Sequence, residues 1–198
     1  MKIYHKSELS KKKINEISRF HIENIKGEFN LFGSEFFRRF YKSISDHKDS
    51  KFITIEKKGK IEGFLIYTIS PIALSKIYLK NNFYFFFYFL IRSLLNKELF
   101  IKFIKFLFLG YYLNHLKKRK NYPELIAIAL SKKLRKKNYG KLLIKILKKK
   151  LILGKKNCCM VIFKDTKNLK KFYLSNSFFN TNLDVPFHKV KIYILKID

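Results

Sequence analysis

The stretch ELIAIALSKKLRKKNYGKLLIKILKKKLILG, residues 124–154, carries the strongest structural signal in the chain. Its first seven residues form an apolar run of strand length, and a basic loop then leads into a segment with the periodicity of an amphipathic helix. A loop that enters a helix presents unpaired backbone N–H groups at the positive end of the helix dipole. Six Lys and Arg residues between positions 132 and 141 add positive charge. This order predicts a cradle for a phosphate or pyrophosphate group, and hence a phosphate-bearing cofactor.

Two familiar phosphate-binding loops do not fit this stretch. A P-loop has an upstream glycine and a Ser or Thr directly after its lysine. Here Lys141 is followed by Leu142, and Asn138 and Tyr139 precede Gly140. A dinucleotide-binding fingerprint has three glycines, whereas this loop has only Gly140.

The loop resembles the pyrophosphate loop of the GNAT acetyltransferases in the hexapeptide RKKNYG, residues 135–140. The family pattern is Arg/Gln-x-x-Gly-x-Gly/Ala, so Arg135 and Gly140 fit and Asn138 departs from it. Asn is the non-glycine residue that best tolerates a positive φ, which makes the exchange at Asn138 sterically acceptable. Gly140 is expected to be required by the turn around the pyrophosphate.

The downstream sequence extends the resemblance. Residues 157–163, NCCMVIF, predict a second buried strand, and Phe172-Tyr173 follow in a helix-length segment that ends before Phe178. This resembles the family signature Phe-Tyr-x-x-x-Gly-Phe, in which the Tyr points at the cofactor sulfur. Ser177 stands where the glycine usually lies, and Thr166 stands where an Asn usually precedes the helix.

The amino-terminal part, FHIENIKGEFNLFGSEFFRRFYKSI at 20–44, is similar to the opening helices of a GNAT branch associated with surface-polysaccharide gene sets. The resemblance covers most of the chain, but residues 71–121 match only as an insertion.

The fold class implied is α+β. We expect one GNAT-like domain over residues 1–198, with a mixed central β-sheet flanked by helices and a helical insertion of about 71–121 between the third and fourth strands. The predicted strands are 2–5, 51–56, 60–70, 124–130, 157–163 and 188–196, and the predicted helices outside the insertion are 9–26, 34–45, 139–153 and 166–176.

The insertion contains an aromatic run, FYFFFYFLI at 83–91, which stops at Arg92. A membrane-spanning helix needs about 20 mainly apolar residues, so this run is too short to span. An aromatic, Lys-rich helix can lie in a membrane interface, cover the acceptor pocket as a lid, or pack into the core. The sequence leaves these three alternatives open.

In the GNAT family an amine attacks the thioester of acetyl-CoA directly, so the resemblance implies acetyl-CoA as the acyl donor. Strand residues would offer backbone groups to the pantetheine arm, and the basic loop would surround the pyrophosphate. The residues expected to bind the cofactor are Ile128, Ala129, Leu130, Arg135, Lys136, Lys137, Asn138, Tyr139, Gly140, Lys141, Thr166 and Asn168.

Three residues are candidates for catalysis. Tyr173 matches the family's proton donor to the departing thiolate, and its alternative is a core aromatic residue. Glu124 could take the proton from the amine, directly or through water, and its alternative is a solvated carboxylate at a strand end. His21 has a suitable ordinary pKa for a base, and its alternative is a structural role.

A metal site is not predicted, because no His, Cys or acidic residues show ligand spacing. Cys158 and Cys159 are adjacent in a strand, so their side chains point to opposite faces and suit neither a disulfide nor a metal pair. The net charge of +30 attracts polyanions, but Lys is spread over every segment, which argues against nucleic acid as a partner.

The sequence therefore favours an acetyl-CoA-dependent N-acetyltransferase that acts on a primary amine of a small molecule, with an amino sugar in surface polysaccharide biosynthesis as the specific candidate. The alternative is a basic membrane-surface or binding protein that has a GNAT-like fold and no catalysis. The polar start of the chain lacks the features of a signal peptide, which predicts a cytoplasmic location, with peripheral contact to the inner face of the membrane if the insertion docks there. The sequence does not decide whether the protein forms a homodimer.

Overall fold

The structure is a computed structural model that describes residues 2–4, 9–25, 27, 30, 32–120, 122–184 and 190–197. The strands are β1 (Lys2–Tyr4), β2 (Ser50–Lys57), β3 (Lys60–Thr68), β4 (Glu124–Leu130), β5 (Cys158–Lys164), β6 (Phe178–Asp184) and β7 (Val190–Lys196). The helices are α1 (Lys11–Asn24), α2 (Gly33–Asp46), α3 (Pro71–Asn81), α4 (Phe83–Leu94), α5 (Lys97–Lys120), α6 (Tyr139–Leu153) and α7 (Lys167–Leu174).

The strands form one mixed sheet in the order β1-β2-β3-β4-β5-β7-β6. Neighbouring strands are antiparallel except β4 and β5, which are parallel. The predicted hairpin is confirmed: β2 turns into β3 through Lys58 and Gly59, both of which have positive φ, as tight turns require. The mixed sheet and the α+β class are confirmed as well.

Helices cover the sheet on both faces because its strands alternate apolar side chains between them. In β3, Phe64 and Ile66 face the cluster formed with α1 to α5, whereas Leu65 and Tyr67 face the cluster formed with α6 and α7. Each face is therefore buried in its own apolar layer. The parallel pair β4 and β5 lies inside the sheet, not at an edge.

Three helices, α3 to α5, fill the connection between β3 and β4. Their inner sides pack on the α2 layer, where the rings of Phe89 and Phe103 lie 5.0 and 6.5 Å from that of Phe32. That this connection is an insertion relative to the GNAT pattern stays a prediction. Among the residues described, none of the helices is both long enough and apolar enough to cross a bilayer.

Sequence periodicity missed one strand, and it extended the predicted strand 60–70 two residues beyond the end of β3 at Thr68. Residues 178–184, which were not predicted to be a strand, form β6 and pair with β7 at the edge of the sheet. Their sequence, FFNTNLD, is rich in Asn and Asp and carries little strand signal. Phe178 is buried and Phe179 is exposed. Because the segment has little strand signal of its own, its strand conformation depends on pairing with β7. His5 and residues 188–189, predicted to be strand, lie outside the described residues.

Candidate functional site

The parallel strands β4 and β5 pair over two positions and then separate. Glu124 lies opposite Met160 and Leu125 opposite Val161, and the described residues show no further pair between the two strands. Beyond this point β4 continues along β3 only, and β5 continues along β7 only. The result is a wedge between the carboxyl halves of two central strands, with a free strand edge on the β4 side. Peptide groups on such an edge need hydrogen-bond partners from elsewhere.

A bulge in β4 determines which backbone groups face the wedge. The β3–β4 register shifts between Ile66 and Tyr67, which leaves Ile126 as the extra residue. Past the bulge, the Ser131 amide donates to the Glu62 carbonyl at 2.8 Å. Alternation along an antiparallel ladder then points the peptide groups of Ala129 toward β3.

The same alternation points the peptide groups of Ile128 and Leu130 into the wedge. Of the three strand residues expected to offer backbone groups, Ile128 has both its amide and its carbonyl on this edge, whereas Leu130 has its amide there and its carbonyl accepts from Arg135 Nε at 3.0 Å. Ala129 has neither group there, because its amide and carbonyl belong to the β3 ladder.

The loop after β4 ends in a row of open backbone donors. Asn138 has φ 61° and ψ 2°, the left-handed conformation that Asn tolerates, and α6 begins directly after it. The first helical bond runs from the Leu142 amide to the Asn138 carbonyl at 2.9 Å. The amides of residues 138–141 donate to no described residue. Four consecutive N–H groups are thus available at the positive end of the α6 dipole, where an anion is stabilised.

Not every amide of the loop is free. The Arg135 amide donates to the Ser131 carbonyl at 3.2 Å, and the Lys137 amide donates to the Leu134 carbonyl at 3.4 Å. Lys136 also takes a left-handed φ of 62°, which the sequence analysis did not predict. The side chains of Lys136, Lys137 and Lys141 are exposed, so their charges surround the open amides.

The side chain of Arg135 has a structural partner. Its Nε donates to the Leu130 carbonyl at 3.0 Å, and its Nη2 donates to the Asn24 carbonyl at 2.9 Å. Asn24 is the last residue of α1, where a cation is favoured by the helix dipole. Arg135 therefore ties the loop to α1, and its contact with a pyrophosphate stays a prediction.

Helix α7 closes against the start of α6. Thr166 caps α7 by accepting a bond from the Leu169 amide at 3.4 Å, and Asn168 is exposed in the first turn. A Cβ on Gly140 would lie 2.8 Å from Phe172 Cε2. Gly140 is not among the positive-φ glycines, so the turn itself does not require it. The reason for this glycine is the close approach of the Phe172 ring, which corrects the sequence-based interpretation.

Tyr173 is at once a core residue and part of the β5 side of the wedge. It is 4% exposed, and its ring packs 4.5 Å from that of Phe163 and 5.1 Å from that of Phe178. Phe163 belongs to the half of β5 that has left β4. Burial, and secondly the nearby Cys159, raise the pKa of Tyr173 far above its ordinary range. Its phenol therefore stays protonated, as a proton donor must before it acts.

Glu124 lies at the closed end of the wedge and is half-buried. The pKa of the buried Cys159 thiol is raised mainly by desolvation and secondly by the Glu124 carboxylate. The same sulfur raises the pKa of Tyr173, so Glu124, Cys159 and Tyr173 share one electrostatic neighbourhood. The sequence analysis missed Cys159 as their common neighbour. Strand alternation of the Cys158-Cys159 pair was the signal that one sulfur points inward.

His21 is held in a neutral state by its surroundings. Its Nδ1 lies 2.5 Å from the hydroxyl of Tyr41, a fully buried residue that the sequence analysis had not selected. Which of the two groups donates this hydrogen bond depends on the tautomer of His21. Burial lowers the pKa of His21 to about 4. The ordinary pKa on which its candidacy as a base rested therefore does not apply.

The burial of neutral His21 predicts a pH-dependent stability. The pKa of about 4 in the folded state lies below the ordinary 6.5, so the unfolded chain binds the proton first as the pH falls. This contribution is fully present above about pH 6.5 and is lost toward pH 4. Between pH 7 and 4.5 the wild type should lose about 2 kcal/mol more unfolding free energy than His21→Gln. Urea unfolding at both pH values measures it, and equal losses in the two proteins would contradict the buried neutral ring.

The contact between Gly140 and Phe172 predicts a non-additive pair. Gly140→Ala should lower the unfolding free energy by about 1–3 kcal/mol, because the new methyl group meets the ring. In a Phe172→Leu background the same change should cost at least about 1 kcal/mol less. Gly154→Ala is the matched control at the other end of α6, where a Cβ meets nothing closer than 3.4 Å. Additive effects of the two substitutions would show that the ring is not the obstacle.

Solved structures with a similar architecture are known, although sequence comparisons find no relative. No protein-family model matches the sequence, and no curated protein matches it. The PaiA N-acetyltransferase of Thermoplasma acidophilum, solved in complex with coenzyme A, matches with a TM-score of 0.56 at 13% identity, over 99% of each chain. The polyamine N-acetyltransferase of Drosophila melanogaster matches with a TM-score of 0.57 at 10% identity, over 99% of this chain and 100% of the other.

A GNAT-family acetyltransferase from Streptococcus pneumoniae matches with a TM-score of 0.53 at 12% identity, over 100% of this chain and 99% of the other. Similarity at these identities shows the fold alone. The architecture described for this chain is therefore the fold of GNAT acetyltransferases.

Proposed function

We propose that this protein is an acetyl-CoA-dependent N-acetyltransferase that acts on a primary amine of a small molecule. The observation that carries the proposal is the row of open amides at residues 138–141, placed where the β4–β5 wedge meets the start of α6. Two of the structurally similar proteins are N-acetyltransferases, and one of them was solved with coenzyme A, which supports the same chemistry here.

The available groups fit coenzyme A in both charge and shape. A diphosphate is a dianion at neutral pH and suits four converging N–H groups surrounded by lysines. A chain that carries amide groups suits a free strand edge, where Ile128 presents its amide and carbonyl and Leu130 presents its amide. When bound, acetyl-CoA would supply the acetyl thioester, and the protein would hold it, orient it and manage the protons.

The proton donor that we propose is Tyr173. Its raised pKa keeps the phenol protonated at neutral pH, and its position beside Phe163 places it on the β5 side of the wedge. The base that we propose is Glu124, at the closed end of the same wedge. His21, which burial keeps neutral, is better suited to form a hydrogen bond with the acceptor than to remove its proton.

The acceptor that we propose is a small amine, with an amino sugar as the first class to test. The similarity of residues 20–44 to the polysaccharide-associated GNAT branch supports this choice. The net charge of +30 favours acceptors that carry phosphate groups, such as an activated amino sugar.

The cradle predicts a position-specific effect on coenzyme A affinity. Lys137→Glu with Lys141→Glu brings two negative charges to the open amides and should raise the Kd for coenzyme A at least about tenfold. Lys145→Glu with Lys149→Glu makes the same charge change further along α6, where both side chains are exposed, and should change the Kd less than about threefold. Isothermal titration calorimetry measures both variants. Equal weakening by the two pairs would mean that only the overall charge matters.

The proton-donor role predicts a selective loss of turnover. Tyr173→Phe should lower kcat by about tenfold to a hundredfold while the Kd for coenzyme A changes little, because general acid catalysis typically contributes on that scale or more. Release of free thiol from acetyl-CoA in the presence of an amine is the assay. Tyr193→Phe is the matched control, since Tyr193 is also buried and packs 4.9 Å from Phe163. Unchanged turnover in the Tyr173 variant would remove it from the mechanism.

A further inference from the structure

Helix α4 has no polar face. Its inner side is buried through Phe86, Phe89 and Ser93. The outward side, together with the residue after the helix, consists of Phe83, Tyr84, Phe87, Tyr88, Ile91, Leu94 and Leu95, here called the α4 face. Their spacing of three and four residues places them on one continuous stripe.

The α4 face is unusually exposed for an apolar surface. Tyr84 is 85% exposed and Leu95 is 90% exposed, and Leu79 of α3 with Phe108 and Tyr111 of α5 are exposed as well. A surface helix of a globular protein normally turns charged and polar residues outward. A contiguous exposed apolar patch of this kind marks a site of interaction with a partner or a membrane.

The charges around the α4 face are almost all positive. Residues 71–120 contain ten Lys and Arg residues and a single acid, Glu98, which is paired with Lys102. The described and exposed cations on these three helices are Lys76, Lys80, Arg92, Lys97 and Lys105. The surface therefore combines aromatic and aliphatic groups with a positive border, and a negatively charged partner is complementary to it.

A second copy of this chain is disfavoured as the partner. In a twofold dimer the same patch meets itself, so Arg92 and Lys97 would approach the equivalent cations of the other copy. The repulsion is reinforced because each chain carries a net charge of +30.

An anionic bilayer is complementary to the apolar, the hydroxyl and the cationic groups of this surface. Phe and Leu side chains enter the acyl boundary, Tyr hydroxyls remain at the headgroup level, and the cations meet lipid phosphates.

We propose that the α4 face docks this protein on the surface of an anionic lipid membrane, with α4 lying in the plane of the interface. The inference does not depend on the acetyltransferase proposal, because it uses none of the residues of the wedge or the cradle. It gives the helices between β3 and β4 a role in placing the protein at a lipid surface.

Co-sedimentation with vesicles tests the apolar part of the proposal. The wild type should pellet with vesicles of phosphatidylcholine and phosphatidylglycerol, and much less with phosphatidylcholine alone. Tyr84→Ser with Phe87→Ser and Leu95→Ser should lower the partition coefficient at least about tenfold. The matched control is Ile152→Ser with Leu153→Ser and Leu174→Ser, three exposed apolar residues on α6 and α7. It should change partitioning less than about twofold.

The charged border is tested in the same assay. Arg92→Gln with Lys97→Gln should weaken binding to the anionic vesicles about thirtyfold, since each of the two cations near such a surface contributes roughly 1 kcal/mol. Lys145→Gln with Lys149→Gln removes the same charge from α6 and should have a smaller effect. Coenzyme A binding, measured in parallel, should be unchanged in the α4-face variant, so loss of docking is distinguishable from loss of the cofactor site.

Four results would overturn the proposal. They are the absence of pelleting with anionic vesicles, equal pelleting with neutral vesicles, and equal losses in the α4-face variant and its control. The fourth is a wild-type dimer in analytical ultracentrifugation that the α4-face substitutions convert to a monomer, because a second copy would then cover the face.

Discussion

The separation of β4 from β5 is the constraint on which the rest of the site depends. Beyond Leu125, the described residues pair β4 with β3 alone, while β5 follows β7 away from β4. Unpaired peptide groups inside a sheet are costly unless a ligand or water bonds them. On the α6 and α7 side of the sheet, Tyr173 packs between Phe163 and Phe178, and Phe172 lies 2.8 Å from where a Cβ on Gly140 would be. The unpaired edge of β4 borders this hydrophobic core, because Ile128 and Leu130 pack against the same cluster.

Burial also determines which side chains can exchange protons. His21, Cys159 and Tyr173 all lie where water is largely excluded. Desolvation lowers the pKa of His21 and raises the pKa of Cys159 and Tyr173, so each group is held in its neutral form. The site therefore presents neutral donors together with one half-buried carboxylate, that of Glu124. Such a distribution suits a reaction in which charge develops only transiently.

Local features of the site were predictable from sequence, and long-range ones were not. The strand, loop and helix between 124 and 153 were predicted with the bounds that the structure shows, because periodicity and turn chemistry are local signals. The left-handed Asn138 follows from the tolerance of its residue type. By contrast, the bond from Arg135 to Asn24 joins residues 111 positions apart, and no pattern within the loop indicates it. The same holds for Tyr41 beside His21, for the bulge at Ile126 and for β6, whose strand conformation depends on β7.

The bridge from Arg135 to the end of α1 has a thermodynamic consequence for anion binding at the loop. Any anion that draws the guanidinium toward the loop must release the Asn24 carbonyl, and His21 lies one turn earlier on the same helix. Occupancy of the loop by an anion and the conformation at the end of α1 are then coupled, and by linkage the coupling is equal in both directions. A ligand that stabilises one arrangement at the end of α1 therefore changes the affinity of the loop for anions by the same factor.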